Sequence, residues 1–150
     1  MQRYAWGGLN SRQLGKYAEY FVKMELTMHG LDIYTSEVDD KGIDFVARKG
    51  VNKYLDVQVK SVYRSKYIYF AKSAFDIQQA DLFVAVVPFS DGEAPVIYLI
   101  PALAWKTPNS LLVSRDYEGK ASAPEWGLQL SKKNMPLLAP FAFELVVGTL

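Results

Sequence analysis

The chain has 150 residues, about the size of one domain, and half of them are apolar, which is enough for a packed core. This composition excludes an intrinsically disordered chain, and the formal net charge of +1 excludes a strong overall attraction to nucleic acid. The sequence has no run of roughly 18 apolar residues for a membrane helix, no signal-peptide pattern at its start and no cysteine. We therefore expect a single cytoplasmic domain over residues 1–150.

The first predicted element is an amphipathic helix over residues 12–29. Ser11 is the predicted N-cap, and apolar residues recur at helical spacing from Leu14 to Leu26. Gly30 is a typical helix stop. Glu19 lies at the border of the apolar stripe rather than opposite it, which keeps its carboxylate near whatever the helix packs against.

A β-hairpin is predicted after this helix. Residues 31–38 predict a short strand, the DDKG segment predicts a turn, and GIDFVARKGVNKYLDVQVKSV (residues 42–62) predicts two strands joined by the KGVN turn. The second strand alternates strictly. Leu55, Val57 and Val59 point to one face, and Asp56, Gln58 and Lys60 point to the other.

The remaining elements indicate an α/β or α+β fold with a mixed sheet. The near-continuous apolar run at 82–88 predicts a strand that is covered on both faces. Further strands are predicted at 66–72, 96–101, 110–114 and 125–131, with one helical turn at 102–107 and a short helix at 139–147.

Positive charge is concentrated in residues 60–72. This segment contains Lys60, Arg64, Lys66 and Lys72 without an acid, and four tyrosine or phenylalanine residues lie between them. Basic and aromatic side chains together can bind phosphates and stack on bases, so Arg64, Lys66 and Lys72 are candidate nucleic-acid-binding residues. The alternative is an amphipathic strand whose lysines are only solvated.

Four side chains form a candidate catalytic constellation. Asp44 lies on one strand of the hairpin, and Gln58 and Lys60 share a face of its partner strand. A carboxylate and an amide oxygen can together hold a hard cation such as Mg²⁺, and a lysine about 6.6 Å further along the strand can reach the same spot. Glu19 on the adjacent helix can complete the set. Taken alone, Gln58, Lys60 and Glu19 are more simply surface residues, and a turn cap explains Asp44 equally well.

The order of these residues resembles the PD-(D/E)xK nuclease superfamily, which includes type II restriction enzymes, archaeal Holliday-junction resolvases and Mrr-like endonucleases. GID and VQVKS resemble its two catalytic strands, and GKYAEYFVKMELTMHG resembles its first helix. The glutamine at position 58, where most members have an acid, is most similar to the Mrr-like branch. The resemblance covers about residues 12–89, and residues 90–150 remain an unassigned extension.

The resemblance implies a restriction-endonuclease-like α/β fold, with a mixed central sheet flanked by helices, and an Mg²⁺- or Mn²⁺-dependent endonuclease that hydrolyses DNA. Asp44, Gln58 and Glu19 would hold the metal, and Lys60 would position the attacking water. Because Gln58 is neutral, other acids such as Asp56, Asp39 or Asp40 would have to compensate. The alternative is an inactive module of the same fold that binds nucleic acid or a protein. The short chain also favours a homodimer, with the apolar C-terminal segment either at its interface or in the core.

Overall fold

The computed structural model describes residues 2–38 and 41–150. Two α-helices and eight strands follow one another in the predicted order, and no helix in these ranges is long and apolar enough to span a membrane. The helices are α1 (Ser11–Met28) and α2 (Phe143–Val147). The strands are β1 (Asp32–Tyr34), β2 (Phe45–Lys49), β3 (Lys53–Tyr63), β4 (Tyr67–Ala71), β5 (Leu82–Phe89), β6 (Tyr98–Pro101), β7 (Leu112–Arg115) and β8 (Glu125–Gln129). Three 3₁₀ segments span Trp6–Gly8, Ala102–Lys106 and Lys132–Phe141.

Helix α1 begins one residue earlier than predicted, because its N-cap is Asn10 and not Ser11. The Asn10 side chain accepts a hydrogen bond from the Gln13 backbone N–H (2.9 Å), and the Gln13 side chain accepts one from the Asn10 N–H (2.9 Å). This reciprocal capping box satisfies two backbone donors at the helix start. The predicted stop at Gly30 is confirmed, since its φ of +86° is a backbone conformation that favours glycine.

The central sheet has five strands in the order β1-β2-β3-β5-β6. Strands β3 and β5 are parallel, and the other neighbouring pairs are antiparallel, so the sheet is mixed as predicted. Both helices pack on one face, where Leu14, Val22 and Leu26 of α1 and Phe143 of α2 are buried against the sheet in a first hydrophobic core. Strand β5 is buried along almost its whole length, as its apolar run predicts.

A second, three-stranded sheet covers the other face of the central sheet. Its order is β4-β8-β7, so residues predicted as separate strands form one layer. This layer and the 3₁₀ segment Ala102–Lys106 enclose a second hydrophobic core. The buried Trp105 ties the two together, because its indole N–H donates to the Gly127 carbonyl (2.9 Å).

The C-terminal segment contributes to both cores. The helix predicted at 139–147 is observed as a 3₁₀ segment ending at Phe141, followed by the short α2. Two prolines inside the segment, Pro136 and Pro140, explain why it does not form one continuous α-helix. Leu138 is buried in the second core and Phe143 in the first, while Leu145 remains 61% exposed.

Gly127 is required by close packing inside the second sheet. The Tyr67 ring lies directly over it, and a Cβ at this position would overlap the Tyr67 hydroxyl group and ring. We predict that Gly127→Ala lowers the free energy of unfolding by about 1–3 kcal/mol, the usual cost of overpacking. Urea denaturation measures the change. Gly8→Ala is the matched control, since nothing lies within 4 Å of its added Cβ, and equal losses in both variants would contradict the packing argument.

Candidate active site

Asp44 lies at the point where strand β2 separates from strand β3. The last register pair between these strands is Phe45 with Val57, and β3 continues beyond it to Tyr63. The Asp44 backbone N–H donates to the Val57 carbonyl (2.9 Å), and its carboxylate Oδ2 accepts a hydrogen bond from the Val59 N–H (2.6 Å). The carboxylate therefore contacts β3 at the residue between Gln58 and Lys60.

Gln58 and Lys60 face the second core, as the period-two pattern predicts. Residues of the alternate set, including Leu55 and Val57, pack into the first core beneath α1. The Lys60 ammonium lies over the ring of Phe70 on β4, with Nζ 5.3 Å from the ring centroid. Lys60 forms no ion pair with a described residue, so its charge is stabilised by an aromatic face and not by a fixed acid.

A cleft of about 480 Å³ opens beside these residues. Gln58 contributes to its lining together with Gly42 and Ile43, the two residues that precede Asp44. The opposite side comes from β8 and the segment between β4 and β5, and the other lining residues are Lys41, Lys72, Ser73, Ala74, Phe75, Asp76, Ile77, Gln79, Leu82 and Trp126. The cleft thus combines amide, basic and aromatic groups next to the candidate catalytic set.

Glu19 lies on α1 and is held by two lysines of the same helix. Its Oε2 pairs with Lys16 (3.3 Å) and its Oε1 with Lys23 (3.0 Å). A hydrogen bond from Lys16 to Glu19 and the charge of Glu19 raise the pKa of Lys16 above its ordinary value of 10.5, and the charge of Asp44 adds to the increase. The charge of Lys16 is therefore influenced by both carboxylates. Helix α1, which carries Glu19, packs on the first-core face of the sheet, whereas Gln58 and Lys60 face the second core.

The candidate ligand atoms of the site are all oxygens, the type of ligand that a hard cation prefers. Asp44, Glu19 and the Gln58 amide offer only oxygen ligands, and Mg²⁺ in proteins takes one or two carboxylates and keeps several waters. Within residues 2–38 and 41–150, however, no three acidic or histidine side chains converge on one point. An ion would therefore depend on the Gln58 amide, water and substrate for much of its shell.

The compensating acids suggested by the sequence do not all fall within this site. Asp39 and Asp40 lie outside the described residues. Asp56 shares the Gln58 face of β3, but its Oδ2 accepts a hydrogen bond from the Gln79 side chain (2.7 Å). That amide also donates to Asp81 (2.9 Å), so Asp56 belongs to a polar network at the start of β3 and β5.

The three candidate nucleic-acid-binding residues have different surroundings. Lys66 is exposed in the turn between β3 and β4. Arg64 pairs with Asp91 (3.3 Å) beyond the end of β5. Lys72 lines the cleft, but its ammonium group is held by Asp116 (2.7 Å), by the Ser114 hydroxyl (2.6 Å) and by the Trp126 ring (3.9 Å to the centroid).

Sequence reasoning missed the residues that support the site through tertiary contacts. These residues are Lys16, Phe70 and Trp126, for which the sequence predicted no role in the site. The contacts of the two aromatic rings with Lys60 and Lys72 join β3 and β4 to each other and to β8. The basic and aromatic composition of residues 60–72 gave a signal for Phe70 alone. Trp126 had none, because the pairing of β4 with β8 has no local signature.

The titration of Lys16 reports on the proximity of the two carboxylates. We predict that Glu19→Gln lowers the Lys16 pKa toward 10.5 and that Asp44→Asn lowers it by a smaller amount, in the order of their contributions. Because this pKa is raised in the folded state, the associated stability is present below about pH 10.5 and is lost as pH rises through the folded-state pKa. NMR titration of the lysine side-chain carbons measures both effects, with Asp32→Asn on β1 as the control. An unchanged Lys16 pKa in Asp44→Asn would show that the charge of Asp44 does not act on Lys16.

Comparisons with known proteins give structural neighbours only. No protein-family model and no curated protein matches the chain. The solved structure of Hjc, a Holliday junction resolvase from the archaeal hyperthermophile Archaeoglobus fulgidus, is similar with a TM-score of 0.58 and 17% identity, over 89% of this chain and 95% of that chain. The bacterial homing endonuclease I-Ssp6803I is similar with a TM-score of 0.51 and 15% identity, over 93% of each chain. Both matches extend well beyond the 12–89 range of the sequence resemblance, and they show that the chain has a restriction-endonuclease-like fold.

Proposed function

We propose that this protein is a metal-dependent endonuclease that hydrolyses DNA phosphodiester bonds and resembles the Mrr-like branch. The observation that carries the proposal is the hydrogen bond from the Val59 N–H to the Asp44 carboxylate (2.6 Å). It brings the aspartate against β3 between Gln58 and Lys60, which is the relation that the D…QxK pattern requires. The names of the two structural neighbours, both DNA-processing nucleases, support the same activity.

Asp44, Glu19 and the Gln58 side-chain carbonyl would hold Mg²⁺ or Mn²⁺, which would polarise the scissile phosphate and acidify a water bound to it. The protein groups have separate tasks. The hydrogen bond from Val59 fixes the orientation of the Asp44 carboxylate. Lys60 donates hydrogen bonds from Nζ to the attacking water or to a phosphate oxygen, where it offsets developing negative charge. The Phe70 ring beneath its ammonium restricts where that charge lies.

DNA binding in this proposal depends on basic residues around the cleft. Lys66 is exposed and Lys41 lines the cleft, so both can contact phosphates, whereas Lys72 would have to release Asp116 to do so. Arg64 would have to release Asp91 to take part. Cutting both strands of a duplex needs two such sites, so the proposal includes a homodimer.

A second candidate is an inactive module of the same fold that binds nucleic acid or a protein partner. The observation that favours it is the state of Glu19, whose two oxygens are both paired with lysines. With Gln58 neutral, Asp44 would then be the only anionic ligand of the proposed set. Binding of DNA in EDTA with a negative log-salt slope, together with no Mn²⁺ binding by calorimetry, would support this candidate over the enzyme.

Substitutions at Asp44 and Lys60 test the enzyme directly. We predict that Asp44→Asn and Lys60→Met each reduce plasmid nicking with Mg²⁺ or Mn²⁺ by at least about a hundredfold, because each removes a charge that acts on the phosphate. Asp44→Asn is preferred to alanine since its amide oxygen can still accept the Val59 N–H. Asp32→Asn and Lys133→Met, on exposed positions, are the controls. Nicking that survives both site substitutions would overturn the assignment.

The charge of the side chain at position 58 should determine the metal concentration that nicking requires. We predict that Gln58→Glu lowers the Mg²⁺ concentration for half-maximal nicking by roughly tenfold, because it replaces a neutral ligand by an anionic one. The exposed neighbour of the cleft, Gln78, provides the matched control, as Gln78→Glu makes the same charge change away from Asp44. An unchanged midpoint in Gln58→Glu, or an equal shift in both variants, would contradict a ligand role.

A further inference from the structure

The outer face of the second sheet carries a group of side chains that the proposed active site does not use. Strands β4 and β8 pair in antiparallel fashion, so residues opposite each other in the register share a face. Ile68, Phe70 and Leu128 point into the second core, and their neighbours therefore point outward. The outward pairs are Tyr67 with Gln129, Tyr69 with Gly127 and Ala71 with Glu125.

On this face, two stacked aromatic rings, Tyr67 and Tyr69, are followed along β4 by a residue without a ring. The rings of Tyr67 and Tyr69 are nearly parallel, with centroids 6.3 Å apart and planes inclined by 20°. Tyr69 is 59% exposed, and the next outward residue on the strand is the small Ala71. A cavity of about 290 Å³ occupies the space above it, lined by Tyr69, Ala71, Ser122, Ala123, Pro124 and Glu125. Because Tyr69 lines this cavity, a planar ring bound there would lie next to the Tyr69 ring.

Glu125 supplies a hydrogen-bond acceptor at the wall of the cavity. The residue is only 8% exposed, and its Oε2 accepts a hydrogen bond from the Tyr67 hydroxyl. Burial and this hydrogen bond raise the pKa of Tyr67, so the hydroxyl remains a donor and keeps the carboxylate oriented. The other oxygen, Oε1, has no hydrogen-bond partner among the described residues, and Glu125 lines the cavity. It can therefore accept an N–H group from a ligand stacked on Tyr69.

The surrounding charge favours a neutral ring attached to a phosphate over a cationic side chain. Arg115 is the register partner of Glu125 on β7, and its guanidinium lies 4.3 Å from the centroid of Tyr67. The guanidinium already occupies one face of the Tyr67 ring, and its positive charge offsets the negative charge of Glu125. A second cation would be repelled by Arg115, whereas a nucleotide phosphate would be attracted to it.

We propose that the cavity formed by Tyr69, Ala71 and Glu125 binds one unpaired nucleobase that carries an amino group. Adenine, cytosine and guanine offer such a donor to Glu125. Where cytosine carries its N4 amino group, thymine carries the O4 acceptor, and the N3–H donor of thymine lies between two carbonyl oxygens that the carboxylate repels. The inference rests on the proposed function, because it assigns to the same nuclease a site for single-stranded DNA on the sheet beside the cleft. Tyr69 supplies stacking, and Glu125 supplies the preference among bases.

The test measures binding of fluorescein-labelled oligo(dC) and oligo(dT) to the full chain by anisotropy in EDTA, where no cleavage occurs. We expect oligo(dC) to bind about tenfold more tightly than oligo(dT), the scale of one good base-edge contact. Tyr69→Ala and Ala71→Leu, which remove the stacking ring and fill the cavity, should each weaken oligo(dC) binding by about tenfold. Glu125→Gln, whose amide can also donate to thymine, should abolish the preference while the oxygen still accepts from Tyr67.

Controls separate this site from general DNA affinity. Tyr34→Ala, at an exposed tyrosine on the edge strand β1, and Ala139→Leu, at an exposed alanine, should leave both affinities unchanged. Circular dichroism checks that each variant is folded. For Glu125→Gln, only the ratio of its affinities for oligo(dC) and oligo(dT) is interpreted. Equal affinities of wild type for both oligonucleotides, or an unchanged ratio in Glu125→Gln, would overturn the inference. Competition by free arginine without any base preference would assign the cavity to a cationic peptide instead.

The same variants distinguish this inference from the proposed function. Plasmid nicking by wild type together with unchanged oligonucleotide binding in Tyr69→Ala would overturn the base site alone. Base preference that depends on Tyr69 and Glu125, without nicking in Mg²⁺ or Mn²⁺, would overturn the enzyme and leave the base site standing.

Discussion

The hydrogen bond between the Asp44 carboxylate and the Val59 N–H is the interaction on which the candidate site depends. Strand β2 ends while β3 continues along β5, so the Val59 N–H lies past the last β2–β3 register pair. The Val59 N–H is partly buried, and leaving it without a partner would cost up to about 1–3 kcal/mol. The Asp44 side chain replaces the missing strand as its acceptor. The same contact brings the carboxylate between Gln58 and Lys60. The same hydrogen bond thus contributes to stability and places the carboxylate for its proposed catalytic role. Only a substitution that keeps an acceptor for the Val59 N–H can separate the two effects.

Strand β3 connects this contact to both layers of the molecule. One set of its alternating side chains packs under α1, and the other set faces the second sheet. Towards its C-terminal end Val62 is buried in the second core, but Gln58 borders an open cleft. The irregular segment between β4 and β5 lines the other side of this cleft. Polar side chains on this part of β3 are therefore tolerated because the second layer leaves them solvated.

The local parts of this architecture could be predicted from the sequence. The helix, the β2–β3 hairpin and the buried β5 follow from periodicity and turn residues, and the convergence of Asp44 with β3 follows from hairpin register. The second sheet could not be predicted, because β4 pairs with β8 across a long sequence separation and nothing within either strand specifies its partner. The same limit applies to Lys72. Its basic character suggested a phosphate contact, but Ser114 and Asp116, distant in sequence, hold its ammonium group.

The charge balance of the site suggests how metal and substrate would depend on each other. Glu19 and Asp44 provide two negative charges, and Lys16 and Lys23 offset them on the helix side. With a neutral glutamine at position 58, a divalent cation would meet little net attraction from the protein alone. A DNA phosphate would add negative charge at the same place and could displace a lysine from Glu19, so the ion and the substrate would each strengthen the binding of the other. In the proposed enzyme, the lysine-paired glutamate and the glutamine would then favour an ion that binds firmly only together with DNA.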